Sequence, residues 1–141
     1  MGKNKRKRKS KRQSKKSVPK IVDVGGGGDC FYRVIAHQLG KKPSSFMKIR
    51  REIADYISKN IETYSIYFDG EDETQKFISS IRKRGSWCEG EIEMQVVTKL
   101  YKVNLIIKDD NGNVTKIENH DATKNLKIYH IIDVHFQSIV E

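Results

Sequence analysis

GGGGDCFYRVIAHQLG, residues 25–40, is the stretch on which the reading of this chain turns. Four glycines run straight onto Asp29 and Cys30, after which Phe31, Val34, Ile35 and Leu39 recur at helical spacing up to Gly40. That pattern predicts a helix over 30–39 with one apolar face, Asp29 as its N-cap and Gly40 as its stop. A cysteine at the first position of a helix sits among free N–H groups at the positive end of the helix dipole, which lowers the thiol pKa and favours the reactive thiolate. Glycines just before it let the backbone approach a substrate and aim N–H groups at a developing oxyanion. Such a nucleophile also needs a base, normally a histidine brought from elsewhere in the chain. The plainer alternative, Cys30 as a buried small hydrophobe behind a glycine linker, fits the same spacing. A phosphate-cradling loop fits less well: no Lys-Ser/Thr follows, and a G-x-G-x-x-G frame would need its last glycine at Cys30.

Working outward, residues 20–24 form a short β-branched run before the glycines. Downstream, Ser44 or Ser45 opens a helix whose apolar positions are Met47, Ile49, Ile53, Ile57 and Ile61. A shorter helix is expected over 73–82, and another over 90–101, where Ile92, Met94, Val96, Val97 and Leu100 recur. The period then changes to that of strands: 102–108, a turn at 109–113 carrying the Asn-Gly hairpin signal, a return strand at 114–118, then 128–134 and 136–140. A short strand, a block of helices and a closing β-meander predict an α+β domain or a three-layer arrangement.

The whole chain of 141 residues carries 28 Lys plus Arg against 18 Asp plus Glu, a formal charge of +10 that taken alone suggests a nucleic-acid binder. Residues 1–20, however, hold 11 of the basic residues and no acid. Removing those 11 from 28 leaves 17 against all 18 acids, so the remainder has a net charge of −1. A like-charge block with no apolar residue between Gly2 and Ser17 cannot bury surface, so residues 1–19 are expected to be a disordered basic tail and 20–141 the folded domain. The tail reads as a nuclear or nucleolar address, as an arm touching RNA or a membrane surface, or simply as a solubilising extension. It lacks the apolar segment of a secretory signal, and no run of about 18 apolar residues suggests a membrane span.

Cys30 and Cys88 are far apart, with neither in a CxxC pair, which points to reduced thiols and an intracellular setting, nucleus or cytoplasm. His37, His120, His130 and His135 form no HExxH, so no metal site is expected.

Three blocks, in order, then carry a family resemblance. The first is GGGGDCFYRVIA, which resembles the nucleophile motif of ovarian-tumour (OTU) cysteine proteases, typically Asp-Gly-Asn/Asp-Cys followed by Leu/Phe, Phe/Tyr, Arg, Ala/Ser, Ile/Val and Ala. The second, WCEGEIEMQ at 87–95, is similar to that family's Trp-Gly-x-x-Glu-Ile-Glu-hydrophobic-Gln helix start. The third, IYHIIDVHFQSI at 128–139, is similar to its closing strand pair with His-Tyr-x-Ser-Val. The resemblance spans 24–140 and implies a papain-type α+β fold, a small mostly antiparallel sheet packed between helices. It implies a deubiquitinase that hydrolyses isopeptide bonds of ubiquitin, polyubiquitin or a related modifier, monomeric and without a cofactor. It makes Cys30 the nucleophile and His135 the general base, with the oxyanion hole at Gly27, Gly28 and Asp29 and the backbone of Cys30. Trp87 would be a structural or substrate-flanking aromatic, and Glu91 and Glu93 helix-start or packing residues. Cys88, where the family often has Gly, reads as a spare thiol, and His37, His120 and His130 as structural residues.

Two positions depart from the family pattern. The histidine is usually oriented by an Asp or Asn two residues on, and this chain has Gln137, with Asp133 as the alternative carboxylate. Gln can accept a hydrogen bond but brings no negative charge to an imidazolium. The family also has Asp three residues before the nucleophile, where this chain has Gly27. Weaker oxyanion support can lower the rate on the order of a hundredfold or more. A slow protease, a catalytically impaired ubiquitin- or partner-binding module, and a loop set by other contacts are the three readings this leaves. If loop order is limiting, Gly27→Asp is expected to raise turnover. An RNA or an import receptor engaging residues 1–20 completes the expected partners.

Overall fold

The computed structural model describes residues 18–132 and 135–141. The expected basic tail, up to residue 17, and Asp133 lie outside the described residues. The elements run β1 (Lys20–Val22), α1 (Cys30–Gln38), a 3-10 turn (Pro43–Ser45), α2 (Phe46–Lys59), α3 (Ile61–Ser65), α4 (Glu71–Arg82), α5 (Glu91–Tyr101), β2 (Val103–Asp109), β3 (Val114–Ile117), β4 (Lys124–Ile131) and β5 (His135–Val140). No helix among the described residues is long and apolar enough to cross a membrane.

The architecture is α+β with one five-stranded sheet in the order β1-β5-β4-β2-β3. Three of its pairings are antiparallel, but β2 and β4 run parallel, with Val103 opposite Lys124 and Ile107 opposite Ile128. The closing strands are therefore not a simple meander. β3 folds back on β2 through the expected turn, where Asp109 Oδ1 accepts the N–H groups of Asn111 and Asn113, and the chain then crosses to the other side of β2. Strand β4 starts at Lys124, earlier than the sequence pattern suggested, because its first two residues are polar and exposed and only Leu126 and Ile128 face the core.

Alternation builds the sheet's inner face: Leu105 and Ile107 of β2, Leu126 and Ile128 of β4, and Phe136 and Ser138 of β5 are all buried. Against it lie Phe31, Val34 and Ile35 of α1 and Val96 and Val97 of α5, with Ile49, Ile53 and Ile57 of α2 completing the core. Lys108, Lys116 and Lys127 fall on the opposite face by the same period-two rule. Strand β1 is short, pairs with β5, and thereby sets the start of the glycine loop against the strand that begins with His135.

Candidate active site

Cys30 opens α1 and is 1% exposed. Its Sγ accepts the N–H of Phe136 at 3.4 Å, which joins the helix N-terminus to the second residue of β5. Burial is the largest influence on this thiol and pushes its pKa up, against the pull of the N–H groups of Phe136, Phe31 and Cys30 itself. The expectation that the helix terminus would leave a lowered thiol pKa is thus corrected: desolvation outweighs the N–H groups.

His135 begins β5 with Nε2 2.9 Å from Asp23 Oδ1. Asp23 follows directly on β1, and its carboxyl is held below the usual carboxylate range, first by the Gly25 N–H at 3.0 Å and next by His135. The Gln137 side chain adds the last and weakest pull on the same carboxyl. Gln137 therefore stands beside the histidine's partner, and the negative charge that this position lacks comes from Asp23. Sequence reasoning missed Asp23. Its signal was an acid interrupting an otherwise β-branched run, IVDV, just before the glycine loop.

The turn before α1 is closed by Cys30 N–H donating to Gly27 O at 3.2 Å. Gly27 has φ +80°, a left-handed conformation that favours glycine. Gly28 is glycine for a different reason: a Cβ there would lie 1.8 Å from Gly85 O. Asp29 occupies the N-cap position, yet its side chain makes no cap bond. It turns inward, where Oδ1 accepts the Gly85 N–H at 2.8 Å and meets the buried guanidinium of Arg50. A charged, buried donor is a stronger partner than a helix N–H, which is why the capping expectation fails here.

A cavity of about 330 Å³ flanks this arrangement, with Trp87, Cys88, Met94, His130, His135 and Phe136 in its wall. Trp87 is 55% exposed, as a substrate-flanking aromatic would be. The ring of His130 stacks flat on Phe136, centroids 4.1 Å apart, so this histidine lines the cleft. Glu93 is buried and accepts the N–H groups of Glu89 at 2.7 Å and Gly90 at 3.2 Å, the helix-start role expected of it. Cys30 and Cys88 are both free cysteines. His37 binds Ser138 Oγ at 2.7 Å, and His120 is exposed beside Asp121, both away from this cleft.

On this α+β fold a buried cysteine at a helix N-terminus thus lies beside a strand whose first residue is a histidine bonded to a carboxylate. The model of OTU-like cysteine proteases matches residues 25–137, and the chain belongs to that family. It is 27% identical over 110 residues to the Arabidopsis thaliana OVARIAN TUMOR DOMAIN-containing deubiquitinating enzyme 7, covering 78% of this chain and 29% of that protein. Among solved structures, the OTUD1 OTU domain superposes with a TM-score of 0.76 at 16% identity, covering 92% of this chain and 89% of the other. An OTU domain in complex with ubiquitin superposes at 0.73 with 18% identity, covering 86% of this chain and 69% of the other. The chain spans less than a third of the length of the curated relatives it matches.

Proposed function

We propose that this domain is a cysteine-type deubiquitinase, hydrolysing isopeptide bonds of ubiquitin or a related modifier. The observation that carries the reading is the chain of contacts from Asp23 to His135 and, through the neighbouring Phe136 N–H, to Cys30 Sγ. Family relatives named as deubiquitinating enzymes and a same-fold domain captured with ubiquitin support the choice of substrate.

In this reading Asp23 fixes the His135 ring through Nε2, leaving Nδ1 to take the Cys30 proton. The thiolate attacks the isopeptide carbonyl carbon, and the carbonyl oxygen becomes an oxyanion. The backbone N–H groups of Gly28 and Asp29, at the turn before Cys30, receive it. The C–N bond then breaks as His135 returns its proton to the leaving lysine amine. Water, activated by His135, hydrolyses the thioester and frees the modifier's carboxylate. The neutral resting thiol makes the histidine's proton acceptance a necessary step.

A ubiquitin carboxy-terminal electrophile is the direct test. A Cys30-dependent adduct is expected, and an adduct that survives Cys30→Ala overturns the reading. The second reading, a ubiquitin-binding module without turnover, draws on the closed burial of Cys30 and on the Gly27 O bond that occupies its N–H. Ubiquitin binding with no cleavage of any linkage selects it. The basic residues 1–20 we assign to addressing or RNA contact; deletion of the 1–19 tail is expected to remove a strongly salt-dependent RNA affinity and spare the hydrolase.

A further inference from the structure

Arg50, on α2, is 0% exposed and has no part in the chemistry just described. Its guanidinium nevertheless touches both chain segments that frame the nucleophile. Nε donates to Asp29 Oδ1 at 2.9 Å, and Nη2 lies 2.8 Å from the same oxygen. Nη2 also donates to Gly28 O at 3.0 Å and to Ser86 O, while Nη1 donates to Ile81 O at 2.8 Å. The plane of the group sits over the Tyr32 ring, 4.0 Å from its centroid. One planar fork thus satisfies three backbone carbonyls and one carboxylate, an arrangement that lysine's single ammonium cannot reproduce.

We propose that Arg50 is a positioning residue for acyl transfer, holding the Gly28–Asp29 peptide so that its N–H is set to receive the oxyanion. The geometry follows from the planar trans peptide: the Gly28 carbonyl and the Asp29 N–H belong to one unit and point in opposite directions. With Gly28 O fixed on Arg50, the Asp29 N–H is turned away from the guanidinium and out of the core. The Asp29 carboxylate, held by Arg50 and by Gly85 N–H, fixes the same peptide from its other end. Gly28 in turn packs so tightly on Gly85 that no Cβ fits between them. Arg50 and Asp29 thereby supply the loop order that Gly27 cannot. The hold on Ser86 O joins this turn to the residue before Trp87, so the oxyanion site and the cleft wall are set by the same side chain.

The inference rests on the proposed cysteine hydrolase, and the test separates the two. In the full chain, Arg50→Lys is compared with wild type in three reactions of Cys30, after circular dichroism establishes that each variant is folded. Iodoacetamide alkylates the thiolate by displacement of iodide at a saturated carbon, so no oxyanion forms. p-Nitrophenyl acetate acylates the same sulfur through a tetrahedral oxyanion, releasing p-nitrophenolate and leaving a thioester. A fluorogenic ubiquitin amide follows the same acyl route with a poorer leaving group. Alkylation, read at the Cys30 peptide by mass spectrometry, is expected to stay within about threefold of wild type. Turnover of the ubiquitin amide is expected to fall about a hundredfold in kcat with little change in KM, the loss typical of an oxyanion donor, and ester acylation to fall with it. Alkylation and acylation falling in proportion overturn the proposal, as does acylation left unchanged. Where Arg50→Lys does not fold, Arg50→Gln is read in the same way. If neither folds, Arg50 is a structural residue and the proposal fails. A wild type that is acylated by the ester but never turns over ubiquitin refutes the deubiquitinase reading alone.

Discussion

Asp23 and His135, separated by 112 positions in the chain, meet at 2.9 Å because the first strand of the sheet pairs with the last. The contact supplies the carboxylate that the closing strand lacks at Gln137. Asp23→Asn keeps an oxygen of the same size and removes the charge. A buried acid of this kind can be worth several orders of magnitude. The Asp23 side chain is 60% exposed, so water screens it, and the expected loss is roughly ten- to a hundredfold in kcat with KM little changed. Gln137→Ala, one step removed, should cost less. Steady-state kinetics on a ubiquitin amide decide the order, and a larger loss at Gln137 than at Asp23 would reverse the assignment.

The same contact has a defined pH range. The Asp23 carboxyl is held below its usual 3.8. A depressed carboxylate contributes fully above its unfolded value, and the contribution disappears as pH falls through the folded one. Loss of the Asp23 charge is therefore confined to pH below 3.8, and the Asp23 carboxyl carbon, followed by NMR, should titrate below that value. A titration at or above 3.8 argues against a carboxylate held by the Gly25 N–H and His135.

Cys30 gives the opposite behaviour. Burial raises its thiol above the usual 9.0, which favours a neutral thiol at pH 7 in the absence of substrate. Iodoacetamide alkylation of Cys30 should still be climbing at pH 9 in the absence of substrate. A plateau at neutral pH would instead mean a preformed thiolate–imidazolium pair.

Residues 25–40 made the helix, the candidate cysteine and the family resemblance legible, because glycine, cysteine and 3.6-residue spacing are local signals. His135 was legible through its motif. What escaped were contacts made by tertiary pairing. Asp23 becomes a partner of His135 only when β1 lies beside β5. Arg50 looks like one of many basic residues on an amphipathic helix until Asp29, Gly28, Ile81 and Ser86 close around it. The Asp29 cap was misjudged for the same reason, since the competing partner lies 21 residues away. The parallel β2–β4 pairing was hidden by the polar start of β4.

Glu93 connects the cleft wall to stability. Burial raises its carboxyl above the usual 4.5 even though two backbone N–H groups favour the charged form. A carboxyl raised in the folded state holds its proton more tightly there, so its contribution is greatest below pH 4.5 and is lost as pH rises through the folded value. Glu93→Gln removes this titration. The difference in Tm between wild type and Glu93→Gln should move in favour of Gln as pH is raised from 4.5 to 7, while a difference independent of pH would show that Glu93 titrates as an exposed carboxyl does.

Two adjacent glycines should respond differently to a side chain. At Gly28 a Cβ meets Gly85 O at 1.8 Å, backbone against backbone, so Gly28→Ala must displace the 85–86 loop and with it the Asp29 and Arg50 contacts. Strong destabilisation with loss of hydrolysis is expected. At Gly27 nothing lies within 4 Å of a Cβ, but φ is +80°, and a non-glycine residue in left-handed backbone costs about 1–2 kcal/mol. Since Asp29, Arg50 and Gly85 already order the turn, Gly27→Asp gains no preorganisation to offset that strain. It should lower Tm by several degrees and leave turnover at or below wild type, the reverse of what the family pattern alone suggests. An increase in kcat for Gly27→Asp would mean that the turn is mobile in solution despite the Arg50 clamp.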